Sequence, residues 1–499
     1  MAEYVVYFQI LEHFEKNNLF HPNHHGSLPN HSTATAIAQI FNICLEAAEN
    51  KQLSAVCMID QSACFDLLSH QILREKLLLY NFADGAIDWL MSYLGNRTQY
   101  VQVESKVSEE LECGDYGAPQ GSVLAGLLHI ISSNDFPACH DDGEAIVYVD
   151  DDSDVVSDSN PEDLQEKIQV EASHSVQWLN DNRLCVAKDK SKLLVIGTNK
   201  LKSSKETQNK MKITVNNEEI AETTSEKLLG LVVNNSLTWK NHLYGDGDNR
   251  GLIPQLNTRV GLLQKLSGYM NKTQLKCFAQ GIFYSKLIYC LPVFGNVFGI
   301  EDYTEVNRRH TSFTRKDNNK IQTLQNKVNQ ILTDSDPMTP TADLLRLTDS
   351  LSVHQMIAYF TVVMTHKIVQ SGKPSYFADR MQPRLTSMRL RGKAGVLTVP
   401  RCTLSVSREG FVYRGTILYN SLPENIRNEF NLGKFKSKLR EWIKVNIKIK
   451  PGSKFSSINQ TRPKVYSYDQ ESTPPSSSVT LLNNQSFQTL MTNFFPRIQ

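Results

Sequence analysis

The chain has 499 residues, 40% of them hydrophobic and 21% charged, values ordinary for a soluble globular protein and sufficient for two to four domains. No apolar run reaches the length of a membrane span and the first residues carry no secretory pattern, so no membrane partner is expected. Nine scattered cysteines without a Cys-x-x-Cys pair support neither a disulfide framework nor a zinc site, as expected of a protein kept inside the cell, in nucleus or cytoplasm.

The formal charge of +1 conceals an asymmetry. Glu104 to Glu166 holds seventeen Asp and Glu against Lys106 alone, and Arg380 to Lys450 holds sixteen Lys and Arg against four Glu. The first segment suits metal ions and the second a polyanion, unless both are simply solvated faces.

In chain order, Tyr7 to Phe20 has helical spacing through Phe8, Leu11 and Phe14. The opening Tyr4 to Phe8 already reads as the middle of an element, so the expectation is a chain that starts inside a domain. The polar loop His21 to Thr33 holds four histidines with no acid or thiol beside them. A loop facing nucleic acid, or a plain turn, is favoured there over a metal site. Ser32-Thr33 caps a helix bearing Ile37, Ile40, Phe41, Cys44 and Leu45. Ser54 to Ile59 is a short apolar run ending at Asp60, the pattern of a buried strand tipped by an acid. A helix follows from about His70, a short one over Gly85 to Leu94, and a strand near Tyr100 to Val103. Gly117-Ala118-Pro119-Gln120-Gly121 is a tight loop before a helix capped by Ser122.

Ile146 to Asp154 runs from apolar, β-branched residues into a cluster of carboxylates and leaves through Val155-Val156, which predicts strand, tight turn, strand. An amphipathic helix over Asp163 to Asn182 and a strand over Leu184 to Ile196 come next. Ile213 to Ile220 has hairpin spacing around Asn216-Asn217, and Leu228 to Val233 is a further strand. Gly245 to Gly251 has the composition of a linker. Beyond it the pattern is helical over 256–266, 273–289, where Asn271 and Gln274 have capping-box spacing, and 324–369, with a break at Pro337 to Pro340. Lys450 to Ser478 is rich in Pro, Ser and Lys and is expected to be disordered.

Two acid-tipped strands about ninety residues apart, Asp60 and Asp150-Asp151, point to a two-metal site. Such sites clamp the attacking and leaving oxygens of a phosphoryl transfer between ions about 4 Å apart, and Mg²⁺ takes hard carboxylate oxygens. An EF-hand does not fit, because Val155 stands where that loop needs glycine. With Pro119-Gln120-Gly121 added, the blocks resemble the reverse transcriptase of non-LTR, LINE-like (jockey-type) retrotransposons. Asp60-Gln-Ser-Ala-Cys-Phe65-Asp66 is similar to the first catalytic block, Gly117 to Leu124 with Asn134-Asp135 to the second, and Tyr148-Val149-Asp150-Asp151 to the Tyr-x-Asp-Asp box. Asn182 to Gly197 with Lys190, and Leu229-Gly230 through Trp239 and His242, resemble the next two. Leu418 to Pro423 with Phe435-Lys436 is similar to the family's C-terminal ending.

The resemblance implies an α/β right-hand polymerase with an α+β palm. Residues 1–250 would be fingers and palm, N-terminally incomplete; 251–370 a helical thumb; 371–450 a basic C-terminal region; 451–499 a disordered tail. It implies RNA-directed DNA synthesis with Mg²⁺ or Mn²⁺, an RNA template, a DNA primer and dNTPs; the oligomeric state is left open. Asp60, Asp150 and Asp151 would hold the metals and Lys190 would neutralise or protonate the leaving pyrophosphate. Phe65 would crowd the sugar 2′-position, although the residues alone read it equally as a core side chain at a turn. Pro119, Gln120, Gly121 and Tyr148 would line the nucleotide, Leu229-Gly230 would grip the primer, and the basic region would contact phosphates. The family's basic finger segment ahead of Gly26 is not recognisable, and Ala125-Gly126, His129, Ser132-Ser133 and Ala187 depart from its usual residues. These departures imply weaker packing and a second reading, an inactive relic that at most binds RNA. A two-metal nuclease finds no support in Pro119-Gln120-Gly121 or Phe65.

Overall fold

The structure is a computed structural model and describes residues 2–447 apart from 188–189, 205–209, 216, 248, 298–311 and 385–394. The expected tail from 451 lies outside the described residues, as does Asn216 of the expected hairpin turn. Helices α1 (Ala2–Lys16) and α2 (Thr33–Glu49) precede β1 (Leu53–Ser62), and α3 (His70–Leu79) and α4 (Asp84–Leu94) follow it. Four two-residue strands, β2 (Thr98–Gln99), β3 (Gln102–Val103), β4 (Lys106–Val107) and β5 (Leu111–Glu112), form exposed hairpins before α5 (Val123–Ser133). Next come β6 (Glu144–Tyr148), β7 (Asp151–Asp158), α6 (Pro161–Asp181), β8 (Cys185–Val186), β9 (Lys192–Ile196) and α7 (Asn199–Ser204). Strands β10 (Lys212–Val215), β11 (Glu218–Thr223), β12 (Ser225–Leu228) and β13 (Leu231–Asn234) complete the strand-bearing half.

The central sheet has the order β10-β11-β9-β1-β7-β6, with β8 on the end of β1. All neighbours are antiparallel except β11 with β9. Alternation along the strands divides the interior. Ala55, Cys57, Ile59, Val147 and Val156 face α6, whose Leu164, Ile168, Ala172 and Leu179 lie on one stripe. Val56, Ile146 and Val155 face α2 on the other side. Each large aliphatic group buried in these layers contributes roughly 1.5–3 kcal/mol. The caps read from sequence are made: Ser32 Oγ accepts the Thr35 amide at 3.3 Å, Ser122 Oγ that of Ala125 at 3.1 Å, and Asn271 Oδ1 that of Gln274 at 3.0 Å.

The second half is helical, with long helices Leu252–Leu266, Arg315–Thr333, Val353–Ser371 and Leu432–Asn446 around the shorter Phe411–Asn420. At the expected linker, Gly245 and Arg250 face each other in an antiparallel bridge. The core that begins under α2 continues through Leu256, Phe294, Ile357 and Tyr419 to Phe435, so sheet and helices share one interior. No described helix is long and apolar enough to cross a membrane.

Candidate active site

Antiparallel register puts Asp60 directly opposite Asp151, the first residue of β7, and Tyr148 opposite Asp151 on its other flank. Val149 and Asp150 form the two-residue turn between β6 and β7. Alternation sends Asp60 and Asp151 to the α2 face, while Asp152 and Asp154 point under α6, where they are 1% and 0% exposed. The carboxylates on the open face crowd one another. Burial, then Asp150 and Asp60, push the Asp151 carboxyl up to about 6, against the pull of Lys190. Lys190 Nζ lies 3.2 Å from Asp60 Oδ2. No closed set of three or more metal-ligating groups exists among the described residues. A repelling set of hard oxygen donors at the mouth of a cleft nevertheless fits divalent cations, whose charge removes the repulsion.

The turn is held from below and beside. Val149 adopts φ +64°, a left-handed conformation that is costly for a β-branched residue. The histidine loop supports it: Asn23 C=O accepts from Val147 N–H at 3.0 Å and Val147 C=O from His25 N–H at 2.8 Å. Gly26 lies against the turn so closely that a Cβ there would meet the Val149 nitrogen and Cγ2 at 2.6 Å. His24 and His25 are fully buried rather than facing nucleic acid. His24 bonds to the Ser133 carbonyl, and His25 bridges Thr35 and Gln39. Burial pushes both imidazoles down to about 3, so they sit neutral in the fold.

The first two blocks are locked together. Ala118 N–H donates to Phe65 C=O and Gly117 N–H to Leu68 C=O, at 2.9 and 2.8 Å, and Gln120 donates to Asp66 at 2.8 Å. Phe65 and the loop of Pro119, Gln120 and Gly121 are therefore held together beyond the end of β1. Gly121 takes φ +80°, open to glycine without penalty. The β12–β13 turn, Leu229-Gly230, borders the cleft over the acids. Leu228 and Leu229 line the same cleft as Met58, Asp60, Asp151, Lys190, Lys192 and Lys227. Tyr289, from the helical half, donates its hydroxyl to Leu229 C=O at 2.6 Å and fixes that turn.

Residues 4–233 match the family model described as Reverse transcriptase (RNA-dependent DNA polymerase). These residues form a reverse transcriptase domain. Its relatives are of the jockey, non-LTR type. A Drosophila funebris protein described as RNA-directed DNA polymerase from mobile element jockey is 26% identical over 279 residues, covering 52% of this chain and 28% of the relative. A Drosophila melanogaster protein of the same description is 23% identical over 285 residues, covering 56% and 29%. The chain thus spans under a third of the length of these relatives. Among solved structures, apo telomerase from Candida tropicalis truncated from its C-terminal domain is 17% identical, covering 46% of this chain and 44% of that one, with a TM-score of 0.31. Candida tropicalis telomerase with the TWJ fragment of telomeric RNA is 12% identical, covering 89% and 56%, at a TM-score of 0.36. Likenesses this faint carry no weight for the site.

Several supports of the reverse transcriptase domain were not legible in its sequence. The acids Asp152 and Asp154 are internal polar anchors. Gln61 donates to Asp152 at 2.6 Å, and Asp154 accepts from Ser175 at 2.8 Å and faces His140 at 3.0 Å. The departing residues Ser133 and His129 do not simply loosen the packing. Ser133 C=O receives His24, and His129 Nε2–H donates to Val149 C=O at 3.0 Å. Much of the basic segment is engaged by the fold rather than presented to phosphates. Arg414 is fully buried on the carbonyls of Glu409, Pro292, Val293 and Gly295. Arg427 serves those of Asn420 and Leu422, and Arg380 pairs with Glu46.

Proposed function

We propose that the chain is an RNA-directed DNA polymerase that extends a DNA primer on an RNA template with dNTPs. The observation that carries this reading is the pairing of Asp60 with Asp151 across two strands, with Asp150 at the adjoining turn. Asp60, Asp150 and Asp151 would hold Mg²⁺, or Mn²⁺ in its place, which would supply charge neutralisation to the attacking and leaving oxygens. The primer 3′-hydroxyl gives up its proton to solvent water as its oxygen bonds to the α-phosphorus; the bond to the bridging oxygen breaks and pyrophosphate leaves. Lys190, now on Asp60, is the cation at hand to meet that leaving group. Phe65 crowds the sugar 2′-position, Pro119, Gln120, Gly121 and Tyr148 border the nucleotide, and Leu229-Gly230 holds the primer end. Residues 1–250 serve as fingers and palm and the helices after Gly251 as thumb.

The test is extension of oligo(dT) on poly(rA) with dTTP and Mg²⁺. Wild type extends, and Asp150→Ala is expected to lose about 10³-fold or more, several kcal/mol of transition-state stabilisation. Equal extension by the two proteins, or none by wild type, defeats the reading. Gly26→Ala is expected to cut extension at least about tenfold, because a methyl group against the Val149 amide displaces the Asp150 turn. Circular dichroism should leave its helix content unchanged; wild-type extension by this variant would show that the turn does not depend on Gly26.

A further inference from the structure

We propose that His129 is a positioning residue that sets two walls of the polymerase site at once, aiming Asp150 through the turn and backing Phe65 with its ring. The inference rests on the polymerase reading above and names a residue outside the carboxylates. His129 projects from α5 and is 1% exposed. Its Nε2–H donates to the Val149 carbonyl at 3.0 Å. That carbonyl belongs to the peptide plane joining Val149 to Asp150, so fixing it fixes the direction in which Asp150 leaves the backbone. A turn with a β-branched residue at φ +64° is strained and persists only where its surroundings hold it. The loop at Gly26 supports the turn from one side and His129 draws its carbonyl from the other.

The second wall is Phe65. Its ring centroid lies 5.2 Å from that of His129, with the planes tilted by 42°. Phe65 is half-buried and stands at the loop after β1, where its own backbone is tied to Ala118. The imidazole is therefore the surface against which the phenyl ring stops. Burial keeps His129 below the usual histidine range, so at neutral pH the ring carries one proton. Because a carbonyl can only accept, that proton resides on Nε2.

The two roles separate by substitution. His129→Phe keeps an aromatic ring behind Phe65 and removes the donor to Val149. His129→Gln keeps a donor at about the same reach and removes the ring. For His129→Phe we expect kcat on poly(rC)/oligo(dG) and Mn²⁺ affinity, read from the free-ion electron paramagnetic resonance signal, to fall about five- to tenfold, with preference for dGTP over GTP kept within about twofold. For His129→Gln the pattern is reversed: preference falls about tenfold while kcat and Mn²⁺ affinity stay within about twofold. Opposite patterns in two variants at one position cannot come from general misfolding, and thermal unfolding of each confirms that it folds. Parallel changes in both variants, or none in either, overturn the proposal. If wild type extends no primer the polymerase reading fails separately. The Mn²⁺ titrations then still decide the turn: equal affinities of wild type and His129→Phe overturn it, and a selective loss in His129→Phe upholds it.

Discussion

Asp151→Asn is expected to abolish primer extension and yet to raise the melting temperature of the metal-free protein at pH 7.5. The carboxyl is pushed up to about 6 by burial and then by Asp150 and Asp60. Between pH 4 and 6 the folded chain keeps a proton that the unfolded chain has already lost. Its contribution to stability is therefore full below the unfolded value and disappears as pH rises through about 6. Above that pH the site is under charge strain, which an isosteric amide relieves. The expected gain is small, about 1–3 °C for a chain of this size, because the group is partly solvated and screened. At pH 5 the gain should fall to about half, and below about pH 4 it should vanish, since folded and unfolded chains alike hold the proton there. Mg²⁺ should raise the melting temperature of wild type and not of the variant, and wild-type activity should decline below about pH 6 as protons compete for the same oxygens. A variant less stable than wild type at pH 7.5 would show that Asp151 is a structural anchor instead.

Arg414→Met is expected to cost on the order of 3–5 kcal/mol of stability, measured by urea denaturation. The guanidinium is fully buried and its donors go to the carbonyls of Glu409, Pro292, Val293 and Gly295. Three of these close the short helix Leu291–Phe294, whose last carbonyls have no partner of their own within the helix. Methionine fills most of the volume but strands those acceptors in the interior. Arg414→Lys should recover little, because an ammonium is a point donor and cannot span acceptors that a planar fork reaches together. A loss below about 1 kcal/mol for Arg414→Met would mean that water reaches these carbonyls once the guanidinium is gone. The same residue explains why a net charge of +12 over 380–450 overstates that region's surface for nucleic acid. Arg414 and Arg427 are internal, and Arg440 and Lys444 are paired with Asp349.

Elements whose causes are local can be read along the chain. A short apolar run ending at Asp60 and a β-branched run breaking at Val149-Asp150 announce two strands tipped with acids. Period-2 alternation then implies that Asp151 and Asp152 face opposite ways. Ser32, Ser122 and Asn271 cap helices through atoms three residues away, so they too are readable in one dimension. Which polar groups become internal depends on contacts between distant segments. His24, His25, His129 and Arg414 look like surface residues in sequence; His24, His129 and Arg414 are buried against backbone carbonyls of other elements, and His25 between the side chains of Thr35 and Gln39. Charge counts could not sort Asp152 and Asp154 from Asp150 and Asp151 either. That distinction comes from Gln61, Ser175 and His140 waiting beneath the sheet, because a buried carboxyl persists only where partners from elsewhere in the chain have been brought to meet it.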